Sequence, residues 1–184
     1  TLVREYKVNS KKISVIPNCF MFPKELDSRL TERVISKFDL NGKKVLVYCG
    51  RLGKEKNLDF VIRSFKELIR QNRNVRLLII GGGPEQESLS KLVENLNLSK
   101  FVYLTGYIKY DKVYSYLRTG DIFVSASKSE IHPLSLLEAM FAKLVPVTFA
   151  SPGFVDTITD GKDGVLVRKE NEKEYAKKIL YLLK

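Results

Sequence analysis

Six short apolar runs, each separated from the next by a stretch with helical spacing, constrain this chain more than any other feature. The runs are residues 44–49, 75–80, 101–104, 121–125, 145–149 and 165–167. They are dense in Val, Ile, Leu and aromatic residues, as strands covered on both faces should be. Between the first two, Leu58, Val61, Ile62, Phe65, Leu68 and Ile69 recur at i, i+3, i+4 spacing, the stripe of an amphipathic helix. Residues 87–96 repeat that spacing more weakly. Further helices are expected at 112–117 with Asp111 as cap, at 134–142, as a brief turn at 155–159, and at 172–183 with Asn171 as cap. Strands alternating with helices in this way predict an α/β fold: a Rossmann-like, doubly wound parallel sheet of about six strands with helices on both faces.

The opening residues differ. Residues 1–22 read as a connector carrying a strand that ends at Pro17, and a polar amphipathic stretch follows at 25–38. Residues 23–184 form the α/β domain. The chain starts at Thr1 and stops at Lys184 inside a helical pattern, so it reads as a piece of a longer polypeptide. Cys19 and Cys49 make no CxxC pair, which implies neither a disulfide framework nor a metal cluster and favours a reducing, cytoplasmic compartment. No apolar run approaches membrane-spanning length. The net charge of +11 admits three readings: a solvated lysine-rich surface, attraction to an anionic membrane surface, and, least supported, nucleic acid.

The chemistry-bearing residues sit just after the strands. Glu130 lies in the polar loop that follows 121–125, and Glu138 lies in the next helix. Eight positions of pure helix would turn the two carboxylates about 80° apart. With Glu130 in the loop, both can face one crevice at the carboxyl edge, where open α/β sheets bind ligands. Gly50-Arg51-Leu52-Gly53-Lys54-Glu55-Lys56 opens onto the same edge; it is either a clamp for a diphosphate or a solvated turn. Gly81-Gly82-Gly83-Pro84 fits neither GxGxxG nor a Walker loop. It reads as a turn approached closely by a ligand, or as a plain strand-to-helix turn. The single histidine, His132, has no nucleophile partner and is a ligand-loop or packing residue before it is a general base. No Asp-x-Asp element is present to hold a metal-bound diphosphate, so no metal is expected. The tyrosines between 103 and 116 read as core and surface residues, not as a base-stacking platform.

In order along the chain, Ile16-Pro17-Asn18, Gly50-Arg51-Leu52 with Lys56-Asn57, Gly82-Gly83-Pro84 and Thr105-Gly106-Tyr107 form the first half of a pattern. Ser129-Glu130 through Glu138-Ala139-Met140, Val145-Pro146-Val147 and Asp160-Gly161-Lys162-Asp163-Gly164 complete it. The ordered set resembles the C-terminal, nucleotide-sugar-binding domain of GT-B glycosyltransferases, of the large retaining group called family 4. The resemblance runs from Ser14 to the end of the chain.

It implies that Arg51 and Lys56 bind the donor diphosphate and stabilise the charge on the leaving group, while Glu130 accepts hydrogen bonds from the transferred sugar. Glu138 would accept them from the ribose. Backbone amides at Leu134 and Ser135 would meet a phosphate, and backbone near Tyr107 and Ile108 the base. Gly50, Gly83 and His132 would line the same donor site.

The resemblance also implies a metal-independent, retaining transfer from a nucleoside-diphosphate sugar, a UDP-sugar first, without a cofactor. The acceptor, a lipid or a glycan, would be held mostly by an N-terminal domain that this chain lacks, so the fragment alone would turn over little. The charge fits a protein on the inner face of the cytoplasmic membrane, and no nucleic-acid partner is implied. Pro133, where the family carries Gly, removes an N–H donor. His132 stands at a commonly aromatic position, and Lys143 stands where a glycine usually ends the helix. The competing hypothesis is a non-enzymatic basic α/β module that binds nucleic acid or another polyanion.

Overall fold

The computed structural model describes residues 2–14 and 27–184. Most of the strand expected before Pro17, the Ile16-Pro17-Asn18 motif and Cys19 lie outside the described residues. Before that gap, Ser10–Lys12 forms a single 3-10 turn capped by Asn9.

Six strands form one parallel sheet: β1 (Lys44–Cys49), β2 (Val75–Ile80), β3 (Val102–Leu104), β4 (Ile122–Ser125), β5 (Val145–Phe149) and β6 (Val165–Val167). Their order is β3-β2-β1-β4-β5-β6, the doubly wound arrangement expected. Leu46 pairs with Leu77 of β2 on one side and with Ile122 of β4 on the other.

Alternation along each strand feeds two apolar layers. Leu46, Tyr48, Leu77, Ile79 and Val124 face one layer, and Val45, Val47, Leu78, Ile80 and Phe123 face the other. Helices α2 (Leu58–Ile69), α3 (Gln86–Asn95) and α7 (Glu172–Leu182) cover the first layer. The second is covered by α1 (Ser28–Lys37), α4 (Tyr110–Leu117), α5 (Leu134–Phe141) and α6 (Pro152–Val155). Both faces of the central strands are therefore dry, which is why their sequences lack polar alternation.

Two expectations are corrected. Helix α4 starts at Tyr110, so Asp111 lies in its first turn rather than at its cap; there a carboxylate favours the helix dipole without closing a capping bond. Helix α6 begins at Pro152, three residues before the expected turn at 155–159. Proline at the first helical position has its φ preset and loses no needed donor, so the turn starts there. The cap expected at Asn171 is present, its side chain accepting from the Glu174 N–H.

Lys143 follows α5 with φ 71°, the left-handed conformation in which glycine is at ease. Its N–H donates to the Met140 carbonyl at 2.9 Å, and that of Leu144 to the Ala139 carbonyl at 3.0 Å. A non-glycine residue there costs on the order of 1–3 kcal/mol, partly offset by the greater chain entropy glycine loses on folding. Lys143→Gly is expected to stabilise the chain by about 1 kcal/mol, read as a higher urea midpoint at unchanged slope.

Candidate functional site

The direction of winding reverses between β1 and β4, and the loops leaving these two strands diverge over the carboxyl edge. The loop after β1 is pinned along its length. The N–H groups of Gly50, Leu52 and Glu85 donate to the carbonyls of Ile80, Gly82 and Leu52, each at 3.0 Å. The buried Tyr48 hydroxyl donates to the Arg51 carbonyl at 3.0 Å; burial, with Cys49, Glu130 and Glu55 nearby, pushes that phenol well above its ordinary range. Lys54–Lys56 then makes one 3-10 turn, and Asn57, with φ 52°, opens α2.

From this loop Lys56 Nζ donates to Glu130 Oε1 at 2.7 Å, with both side chains about one-fifth exposed (22% and 18%). The expected meeting of the two loops thus takes the form of a direct ion pair. Arg51 is on the same loop but exposed, and its Nη1 donates to Glu55 Oε1 at 3.0 Å.

The acidic loop is held from beneath. The Gly153 N–H in α6 donates to the Glu130 carbonyl at 2.7 Å. A Cβ on Gly153 would lie 2.6 Å from the Ile131 carbonyl group and 2.9 Å from the Glu130 oxygen, so only glycine permits this approach. Ser127 Oγ donates to the Glu55 carbonyl at 3.3 Å and ties the two loops together. Ile131 stands 88% exposed at the loop tip, His132 is half-buried, and buried Pro133 leads into α5. Leu134 and Ser135 open that helix half-buried, with N–H groups that have no acceptor inside it.

Glu138 lies in α5. It is half-buried, with the Tyr110 hydroxyl and Cys49 nearby. Burial raises its carboxyl above the ordinary value of 4.5, with the Tyr110 hydroxyl opposing the shift. Burial first, and the Glu138 charge second, push the Cys49 thiol up to about 12, so that sulfur is inert. Next to them a pocket of about 270 Å³ is lined by Cys49, Gly50, Ile80, Tyr107, Ile108 and Val113. Its walls are apolar at Ile80, Ile108 and Val113, and the Tyr107 side chain, 80% exposed, stands at its mouth.

Gly83 has a packing reason of its own. A Cβ there would meet the Leu52 backbone at 2.5 Å, so the glycine serves the packing of two loops on each other. Glu55, Tyr110 and Gly153 are site residues that sequence reasoning missed. The Ser-Pro-Gly turn after β5 was a legible signal for the last of them. Tyr110 is hidden among tyrosines with no distinguishing pattern. Among the described residues, no group of three or more His, Cys, Asp or Glu could hold a metal ion.

The raised Glu138 carboxyl has a stability consequence. Because its folded value lies above the unfolded one, its contribution is present below pH 4.5 and is lost as pH rises through the folded value. Glu138→Gln removes that loss. Its melting temperature is expected to equal or exceed that of the parent at pH 7, and the advantage should vanish near pH 4 in a melting series.

The family model described as "Glycosyl transferases group 1" matches residues 31–184. An alpha-monoglucosyldiacylglycerol synthase of Acholeplasma laidlawii is 31% identical over 132 residues, covering 72% of this chain and 33% of that protein. The protein of the same name from Streptococcus pneumoniae is 28% identical over 176 residues, covering 93% of this chain and 40% of that one. A mutant of S. aureus TarM, solved in complex with fondaparinux, alpha-GlcNAc-glycerol and UDP, superposes with a TM-score of 0.74. It is 27% identical, and the match covers 90% of this chain and 31% of that one. The chain thus spans between a third and two-fifths of the length of these curated relatives.

Proposed function

This chain belongs to the group 1 glycosyl transferases, and from that membership we propose that it binds a nucleoside-diphosphate sugar, a UDP-sugar first, for transfer to a lipid or glycan. The observation that carries this reading is the Lys56–Glu130 contact of 2.7 Å at the point where the sheet reverses. It puts a cation for a diphosphate beside a carboxylate for sugar hydroxyls. Glu138 would accept hydrogen bonds from the ribose, and the pocket lined by Tyr107 and Ile108 has the apolar walls that suit a base. Arg51 and the opening N–H groups of α5 add positive potential for the phosphates. The diphosphate charge is then met by side chains and a helix terminus, without metal, as it grows on the leaving group. No step needs a protein nucleophile, and anomeric retention is part of the proposal.

UDP in the S. aureus structure and the glycolipid product in the names of the two synthases support the donor and acceptor classes. The acceptor is proposed to lie mostly on a second, N-terminal domain outside this chain, across the cleft. Membership does not favour the alternative of a non-enzymatic polyanion-binding module. No helix among the described residues is long and apolar enough to cross a membrane. Association with an anionic inner-membrane face is proposed from the net charge of +11, and equal sedimentation with neutral and anionic vesicles would exclude it.

Calorimetry with UDP, GDP and ADP tests the donor reading. Binding of at least one of them is expected at about millimolar concentration or below, and Glu138→Ala should weaken it about tenfold. Absence of binding by all three would overturn the proposal.

A further inference from the structure

A pocket of about 400 Å³ at the carboxyl ends of β5 and β6 holds charges for which the proposed transfer has no use. Lys128, Arg168 and Lys169 line it, together with Glu170 and Ser151. Glu170 is occupied: Lys128 Nζ lies 2.6 Å from its Oε2, and Asn57 Nδ2 donates to its Oε1 at 3.2 Å. Arg168 and Lys169 are exposed and form no ion pair among the described residues. Three cations against one carboxylate leave a surplus of two positive charges around the pocket.

Ser151 adds the second observation. It is only 3% exposed, and its hydroxyl has no hydrogen-bond partner among the described residues. A serine at a helix N-cap ordinarily accepts from the second or third N–H of its helix. Here those donors are already used. The Gly153 N–H goes to the Glu130 carbonyl at 2.7 Å, and the Phe154 N–H goes to the Ser151 carbonyl at 3.0 Å. Pro152, at the first position, has none. The hydroxyl is thus left with a hydrogen to donate at the edge of a basic pocket, where an unpaired polar group is costly.

We propose that this pocket is a phosphate site, separate from the donor diphosphate, and that it holds a phosphate ester carried by the acceptor. A phosphate ester matches the surplus charge, and Arg168 supplies the planar fork that grips two of its oxygens. The site abuts the reacting region: Lys128 is two residues before Glu130, and α6, which Ser151 opens, holds the Glu130 carbonyl. The assignment to the acceptor rests on the glycosyl-transfer reading, whereas the phosphate chemistry does not.

The test is an amide NMR titration of the full chain, saturated with UDP, using inorganic phosphate and then glycerol 3-phosphate. Shifts are expected at Ser151, Arg168 and Lys169 with UDP still bound. Arg168→Glu combined with Lys169→Glu should weaken phosphate binding about tenfold or more, leaving UDP affinity unchanged. Ser151→Ala should weaken it by a smaller factor. Tighter binding of glycerol 3-phosphate supports the acceptor ester, and binding no tighter than that of inorganic phosphate overturns that assignment. Shifts that disappear when UDP saturates, or that survive the double charge reversal, overturn the site itself. Failure of UDP to bind the parent chain would sink the donor reading instead, so the two failures are distinguishable.

Discussion

Lys56→Ala should bind UDP about tenfold to a hundredfold more weakly than the parent chain, compared by calorimetry at one ionic strength. The ammonium is one of two side-chain cations on the loop after β1 that are proposed to face the diphosphate, and it is the more enclosed of the two. Its charge is only about one-fifth exposed, so solvent screens it less than it screens Arg51. A charge-assisted hydrogen bond in such a place contributes about 1.5–3 kcal/mol, which sets the range. The substitution also leaves Glu130 without its 2.7 Å partner, so a bare carboxylate would face the incoming phosphates and oppose them. Glu130→Gln makes the complementary experiment. It frees Lys56 for the diphosphate, so UDP should bind at least as well, while a UDP-sugar loses the charged acceptor for its hydroxyls. A Lys56→Ala chain that binds UDP as the parent does would remove this lysine from the donor site.

Tyr175→Ala is expected to cost about 3–5 kcal/mol of folding stability, the range for deleting a buried aromatic side chain. Tyr175 is fully buried in α7. Its ring meets Phe60 and Phe149 edge-on at 5.5 and 5.9 Å. Its hydroxyl donates to the Val147 carbonyl at 2.8 Å and lies 3.2 Å from that of Ser125, and burial pushes this phenol far above its ordinary range. One side chain therefore ties the last helix to β4 and β5, and Ser125 is the residue from which the acidic loop departs. Tyr175→Phe separates the contributions: it keeps the ring and should cost about 1–2 kcal/mol for the lost hydrogen bond. Urea titration gives both values, provided the slope is unchanged. A loss below about 1 kcal/mol for Tyr175→Ala would mean that α7 is not docked as described.

The reach of sequence reasoning differs from element to element. Residues 44–49 and 75–80 were legible as strands to the residue, because burial on both faces leaves unbroken apolar runs. The register of one against the other was not, since such runs carry no polar mark to fix it. Expected strand starts at residues 101 and 121 each fall one residue early. Asp121 instead ties the amino ends of the two central strands, its carboxylate accepting from the Val45 N–H of β1 at 2.8 Å. Glu130 and Lys56 were recognisable as residue types at the right edge, but nothing in their 74-residue separation foretold a direct pair. Arg51 looked equivalent to Lys56, yet its side chain is engaged by Glu55 four residues on, a local geometry that competes with any distant partner.

What the amino-acid order alone determined is the alternation of strands and helices, and with it the carboxyl edge as the place for chemistry. Hydrophobic periodicity is a local property, and right-handed crossovers leave few ways to wind such a chain. Which groups touch at that edge was decided only in three dimensions. The Lys56–Glu130 pair, the Tyr110 hydroxyl beside Glu138 and the Gly153 amide on the acidic loop each join segments from separate strand ends, and the Ser151 hydroxyl is left unpartnered by the same packing. Contacts of that kind depend on strand order and loop packing, which no local pattern encodes.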